Sequence, residues 1–193
     1  MGDTVKIHHI LAASVVAFAS LSHAQTAQFS VEPAHSFVYW EANHQNISTL
    51  RGRFDKTRGS MTYDAAAKTG TADIIIDTTS ISTGMPAFNE HLKQKGWLNA
   101  VEFPEAKFIG KKFVFDGANL KTVEGELTFM GKTLPIALIA KRFGCYVHPK
   151  NKKDTCGGDF EYEMKRSAWG STAGIPGDPD MIKLLIEIEG QKQ

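Results

Sequence analysis

The side chains able to do chemistry are few and widely spaced. His35, His44 and His91 carry imidazoles of the kind that hold zinc, but no H-E-x-x-H or comparable spacing joins them. They read as hydrogen-bonded structural histidines bracing a helix against strands, or as contacts to a bound molecule. Ser36 neighbours His35, yet adjacent residues of a strand point to opposite faces, and no G-x-S-x-G elbow is present. Asp55, Asp64, Asp73 and Asp77 fall at turns or on outward faces, where solvated charge is the expected role. The expectation is a protein that is not an enzyme and needs no cofactor. Four arginines, Arg51, Arg53, Arg142 and Arg166, are the candidates for holding a phosphate. Asn46-Ile47-Ser48 matches a glycosylation sequon, a short pattern frequent by chance. Lys150, Lys152 and Lys153 form a basic cluster, read as a solvated loop or a docking point for an anionic membrane or a partner.

Charge narrows the partners. The 193 residues hold 22 Lys+Arg against 21 Asp+Glu, without the basic excess of a nucleic-acid binder. Ile10 to Leu21 (ILAASVVAFASL) is too short to span a membrane but has the length of a signal-peptide core. Ser22-His23-Ala24 follows with small residues at both key positions. The expectation is a secretory signal over residues 1–24, one domain over 25–193, and a periplasmic location. Cys145 and Cys156 are the only cysteines, and an even pair in an exported chain reads as a disulfide. A metal site would lack its other ligands.

The elements that must carry these residues have a period of two. Ile182, Leu184, Ile186 and Ile188 alternate with polar neighbours. So do Val123, Gly125, Leu127 and Phe129; Phe160, Tyr162 and Met164; and Ala72, Ile74 and Ile76. Strands are expected near 27–32, 35–44, 50–56, 58–64, 71–79, 106–115, 119–129, 133–143, 159–166 and 181–190. Turns are expected at Lys68-Thr69-Gly70, Asp116-Gly117, Met130-Gly131 and Gly157-Gly158. Pro86 to Lys95 reads as one short helix stopped by Gly96. Trp97 and Leu98 after it read as a lid or as ordinary packing.

An alternating antiparallel sheet this long must hide one face and both edges. A barrel does so, and a sandwich is the competing solution. The inward face carries large aromatics beside Ala42, Ala72 and Gly125. Small positions among large ones leave either a tunnel or a jigsaw-packed interior, and periodicity does not choose between them.

Ordered short motifs choose. Glu32-Pro33-Ala34-His35-Ser36, Gly52-Arg53-Phe54 with Gly59, and Ser80-Ile81-Ser82-Thr83-Gly84 occur in turn. His91-Leu92, Phe103-Pro104-Glu105-Ala106-Lys107-Phe108, Gly125-Glu126-Leu127-Thr128 with Gly131-Lys132-Thr133, and Arg166 with Trp169-Gly170 follow. Together they resemble the YceI-like family of polyisoprenoid-binding, lipocalin-like periplasmic proteins over about residues 29–189. The Cys145–Cys156 loop with Gly157-Gly158-Asp159-Phe160 looks like a neisserial subgroup associated with ubiquinone binding.

The resemblance implies an all-β fold, an extended antiparallel lipocalin-like barrel of about eight strands with one short helix. It implies a long isoprenoid chain in a hydrophobic tunnel. The candidate ligand contacts are then Val38, Trp40, Ala42, His44, Ile74, Ile76, Phe88, Phe108, Phe113, Phe115, Leu127, Phe129, Ile136, Leu138, Phe160, Tyr162, Met164, Ile182, Leu184 and Ile186. One departure bears on the head group. The family often has Arg-Asp just before His-Leu; here Phe88-Asn89 stands there. Loss of a guanidinium disfavours phosphate and favours a neutral aromatic head such as ubiquinone over another polyisoprenoid. The expected partner is an isoprenoid lipid and not a nucleic acid; transient membrane contact and a homodimer stay open. The alternatives are an interaction protein whose barrel is purely structural and, behind it, a metal-dependent enzyme.

Overall fold

The computed structural model describes Gly2 and residues 26–193. The expected signal segment, residues 1–24, thus lies outside the described residues but for Gly2. The strands are β1 (Ala27–Val31), β2 (Phe37–His44), β3 (Ser48–Phe54), β4 (Thr57–Asp64), β5 (Thr69–Asp77) and β6 (Ile81–Ser82). One helix, α1 (Pro86–Leu92), precedes β7 (Glu105–Asp116), β8 (Asn119–Phe129), β9 (Lys132–Val147), β10 (Asp154–Lys165) and β11 (Met181–Lys192).

All eleven strands share one antiparallel sheet. β1 and β2 behave as one long strand interrupted by a 3-10 turn at Pro33–His35, because both pair with β11. β3 runs into β4 and β5 into β6 in the same way. Counted so, eight strands, each beside its neighbour in sequence, close into a barrel, and pairing of β11 with β1 and β2 removes the edges a sandwich would keep.

Two serines repair the ladder at the kinks. The fully buried Ser36 hydroxyl donates to the Glu189 carbonyl and accepts from the Glu189 N–H. Ser80 Oγ accepts from the Lys56 N–H. Ser36 is therefore a ladder substitute, its hydroxyl engaged by the Glu189 peptide.

Three bulges set the inward face. Lys111, Lys121 and Lys141 are the extra residues, each exposed and ion-paired outward, with Glu126, Asp116 and Glu161 respectively. Each bulge flips the parity of its strand. After Ala106 and Phe108, it is Phe113 and Phe115 that turn inward, and after Ile136 and Leu138 it is Phe143. Gly125 belongs to this device. A Cβ there would lie 2.1 Å from the Ile109 carbonyl, so the glycine admits a backbone and leaves no hole. Of the two roles open to the small inward positions, Gly125 takes the close-packed one.

Other expectations shift. The strand expected at 35–44 starts at Phe37. The helix ends at Leu92 rather than Lys95, because the chain coils back so that the Leu98 N–H bonds the Leu92 carbonyl. Gly157-Gly158 is no turn. Both glycines lie inside β10, where a Cβ would come within 2.1 and 2.2 Å of the Ile188 and Arg142 carbonyls. The turn lies instead at His148–Lys153, and Cys145 and Cys156 are direct cross-strand partners joined by a disulfide. Met130-Gly131 is a turn as read, with both φ positive (48° and 73°), the two-residue hairpin that suits strand twist. Asp64 is buried, not solvated, and accepts from the Ala66 and Ala67 N–H groups.

The outer wall is polar, with cross-strand pairs such as Lys107–Asp73 and Lys112–Glu124. That inverts the apolar exterior of a membrane barrel. The disulfide closes a separation of 11 residues, so replacing both cysteines by serine is expected to cost about 2–3 kcal/mol; urea unfolding of the double variant measures it.

Candidate functional site

The bore holds two chambers. The far chamber, about 100 Å³, is walled by Phe29, Met61, Ile74, Phe108, Phe113, Val123, Ile136, Leu138, Phe143, Phe160, Ile186 and Ile188, among others. The second, about 290 Å³, lies under α1 and is walled by Trp40, Ala42, Leu50, Phe54, Phe88, Leu92, Trp97, Leu98, Phe129, Met164 and Ile182. Val38, Ile76, Leu127 and Leu184 belong to both walls and form a waist between them. Ile182 and Ile188 line opposite chambers, so the lined stretch of β11 is about 20 Å, or about 15 Å along a tilted barrel axis.

The chambers differ in polarity. Apart from Thr62 and the ring of Tyr63, far-chamber side chains are apolar. The lid-side wall adds His44, Thr78, His91, Arg166, Ser171 and Asp178. Each end has its own stopper. At the far end Tyr63 stacks on Phe115 (6.4 Å) and meets Phe143 edge-on (5.1 Å), with Phe113 edge-on to Phe143. At the other end His91 packs between Phe88 (6.2 Å) and Trp97 (5.2 Å).

Arg166 locks the lid end. It is 5% exposed; its Nε donates to the Pro179 carbonyl, Nη1 to Ser171 and Nη2 to the Ala173 carbonyl, and its guanidinium lies 4.9 Å from the Trp97 ring centre. The Ala173 N–H in turn bonds the Gly96 carbonyl, tying this loop to the segment after α1. Burial pulls the guanidinium pKa down, opposed by the charges of Asp180 and Asp178. The Ser167 hydroxyl and N–H bind Asp180 and hold its carboxyl below the usual range.

Of the twenty candidate contacts, eighteen lie in the chamber walls. Phe115 sits in the far stopper, and Tyr162 packs against the core beside the cavities; burial raises the Tyr162 pKa. His44 is at the lid-side mouth and exposed. His35 is remote, paired with Glu32 at 2.7 Å, and among the described residues no three His, Cys, Asp or Glu side chains form a metal-holding group. Arg51, Arg53 and Arg142 are paired on the surface with Glu41, Asp55 and Asp159. Phe88, at the departure from the family pattern, is in the lid-side wall, while Asn89 accepts from the Thr83 N–H and hydroxyl. Trp97 and Leu98 both pack and cover the chamber. Ile188 was within reach of the alternation as a wall residue; Phe143 was hidden by the bulge at Lys141.

A family model described as "YceI-like domain" matches residues 29–191. A protein named YceI from Salmonella newport is 30% identical over 165 residues, covering 84% of each chain. One from Escherichia coli O157:H7 is 29% identical over 184 residues, 94% of each. Among solved structures, a Campylobacter jejuni YceI protein superposes with a TM-score of 0.67 at 28% identity, covering 76% of this chain and 87% of that one. Burkholderia cenocepacia BcnA gives 0.68 at 24%, over 82% and 98%. A polyisoprenoid binding domain from Saccharophagus degradans gives 0.63 at 15%, over 88% and 100%. The last two likenesses are of fold.

Arg166→Ala should strand three acceptor groups and cost about 3–5 kcal/mol in urea unfolding, against at most about 1 kcal/mol for Arg53→Ala at a surface pair. The Asp180 tie is sensitive to acid. A folded pKa below the unfolded one means the tie is intact above the ordinary Asp range and is lost as pH falls through the lower folded value. The Ser167 amide resonance should report that step.

Proposed function

The chain belongs to the YceI-like domain family, and on that premise we propose that it is a periplasmic carrier that sequesters a long-chain isoprenoid lipid in its bore. The observation that carries this is the polarity gradient: an apolar far chamber, an apolar waist, and a lid-side chamber trimmed with polar groups. A linear hydrocarbon tail fits the first two and an oxygenated head the third. The name of the Saccharophagus degradans relative, a polyisoprenoid binding domain, supports the ligand class.

The energetics suffice. At roughly 5 Å each, about three isoprene units fit the ~15 Å bore; at ~0.8 kcal/mol per buried carbon they contribute on the order of 10 kcal/mol before the cost of ordering the tail. Catalysis is not required: the protein excludes water from the tail and holds the head near the mouth for transfer, which needs transient contact with a membrane.

The head group is a quinone in this reading, ubiquinone first. Arg51, Arg53, Arg58 and Arg142 are paired with surface carboxylates, and Arg166 is engaged by loop carbonyls, so among the described residues no guanidinium faces the chambers unpaired for a phosphate. Trp40, Phe54, Phe88 and Trp97 offer aromatic faces instead. The disulfide accords with an oxidising compartment and with a signal segment over residues 1–24.

Native mass spectrometry of freshly purified exported protein, with chromatography of the extracted lipid, tests this. A stoichiometric prenyl quinone is expected. Polyprenyl phosphates alone would refute the quinone, and a barrel without lipid would refute the carrier and favour a purely structural barrel. Leu184→Trp should block the waist and cut long-chain lipid occupancy at least tenfold, with the strand circular dichroism unchanged.

A further inference from the structure

Two tryptophans are deeply buried, and the fold treats their indoles differently. Trp169 Nε1 donates to the Leu127 carbonyl at 3.1 Å. Trp40, 8% exposed, has an indole N–H that is sealed from solvent and bonded to nothing. A buried donor without an acceptor is costly, and a phenylalanine would have filled the same space without that cost. The other such atom among the described residues, the hydroxyl oxygen of Thr57, lies outside both chamber walls. Trp40 is part of the lid-side wall, between the waist residue Val38 and the mouth residue His44 on β2.

The position of this indole is set by backbone. Gly52 is the cross-strand partner of Trp40, and a Cβ on it would come within 2.6–2.8 Å of Cζ2, Cε2 and Nε1. The ring edge bearing the nitrogen therefore lies directly over a glycine. It is covered there, and the adjoining 290 Å³ chamber gives it room to swing toward a guest.

We propose that Trp40 is a specificity-determining residue: its indole N–H leaves Gly52 to donate to an acceptor oxygen of the bound lipid, selecting oxygen-bearing prenyl lipids over bare hydrocarbons. This rests on the carrier reading and deepens it. The chemistry recognised is an acceptor oxygen, whether a quinone carbonyl, an alcohol or a phosphate. Because the site excludes water, nothing competes for the donor once the guest is in place.

The test follows the three tryptophan indole resonances in ¹⁵N–¹H spectra of the whole protein, assigned by triple-resonance connectivity. The probes are a short-chain ubiquinone, geranylgeraniol, geranylgeranyl phosphate and the hydrocarbon squalene. Oxygenated probes should move the Trp40 resonance downfield in the manner of a new hydrogen bond, and squalene should not. The oxygenated probe giving the largest movement and tightest binding identifies the oxygen's source. Trp40→Phe should weaken the oxygenated probes about tenfold and leave squalene unchanged. Gly52→Ala, which crowds the ring edge, should alter the response to oxygenated probes selectively. Equal responses to squalene and oxygenated probes, or equal losses in Trp40→Phe, would overturn the assignment while leaving the carrier intact. Failure of every probe to bind would overturn both. If the variants do not fold, the spectra of the unmodified protein decide.

Discussion

Closing eight antiparallel strands into a ring satisfies the backbone at every edge but fixes the width of the interior before any side chain is chosen. What fills that interior is then a matter of side-chain volume and parity. In this chain the bulge at Lys111 turns Phe113 and Phe115 inward, the bulge at Lys141 turns Phe143 inward, and the bulge at Lys121 brings in Leu120 at the same end, each at the cost of one outward lysine. The aromatics stopper that end without filling the middle. The waist is made of Val38, Ile76, Leu127 and Leu184, side chains that meet both chambers. A hollow barrel is thus a consequence of where the large residues were placed, not of a shortage of them.

The polar groups follow the same geometry. The exterior pairs its charges strand to strand, which keeps the wall wettable, whereas the lid-side chamber gathers Arg166, Ser171, Asp178 and the two mouth histidines. Arg166 is the buried charge that this end is built around. Backbone carbonyls of the 171–180 loop hold it, the Trp97 ring covers it, and through Ala173 and Gly96 it joins that loop to the lid. A guanidinium so fully engaged does not recognise ligand directly. It fixes the shape of the lid-side chamber.

Period-two alternation made most of the strand order legible, because one buried face leaves a strong mark on residues such as Ile182, Leu184 and Ile186. The tunnel itself was not legible from alternation; it came from the family resemblance. What the pattern hid has physical causes. Bulges break parity, so Phe143 was missed although Phe113 and Phe115 were included by type. Glycines signal turns on average, yet Gly157 and Gly158 serve close backbone approach inside a strand, and this concealed the long β9–β10 hairpin around the disulfide. Lid contacts such as Trp97 with Arg166 join segments some seventy residues apart, which no local pattern reveals. The task of Ser36, bridging the broken ladder at Glu189, depends on a pairing that only the folded barrel creates.

Tail, waist and head chamber form one physical idea: a continuous water-free path through the barrel. The most direct measurement is a high-resolution crystal structure of protein isolated with its natural contents. Elongated density should pass without a break from the far chamber through the waist ringed by Val38, Ile76, Leu127 and Leu184 into the space beneath α1. Side chains closed across that waist, with separate empty or water-filled pockets on either side and no guest spanning them, would contradict the carrier mechanism.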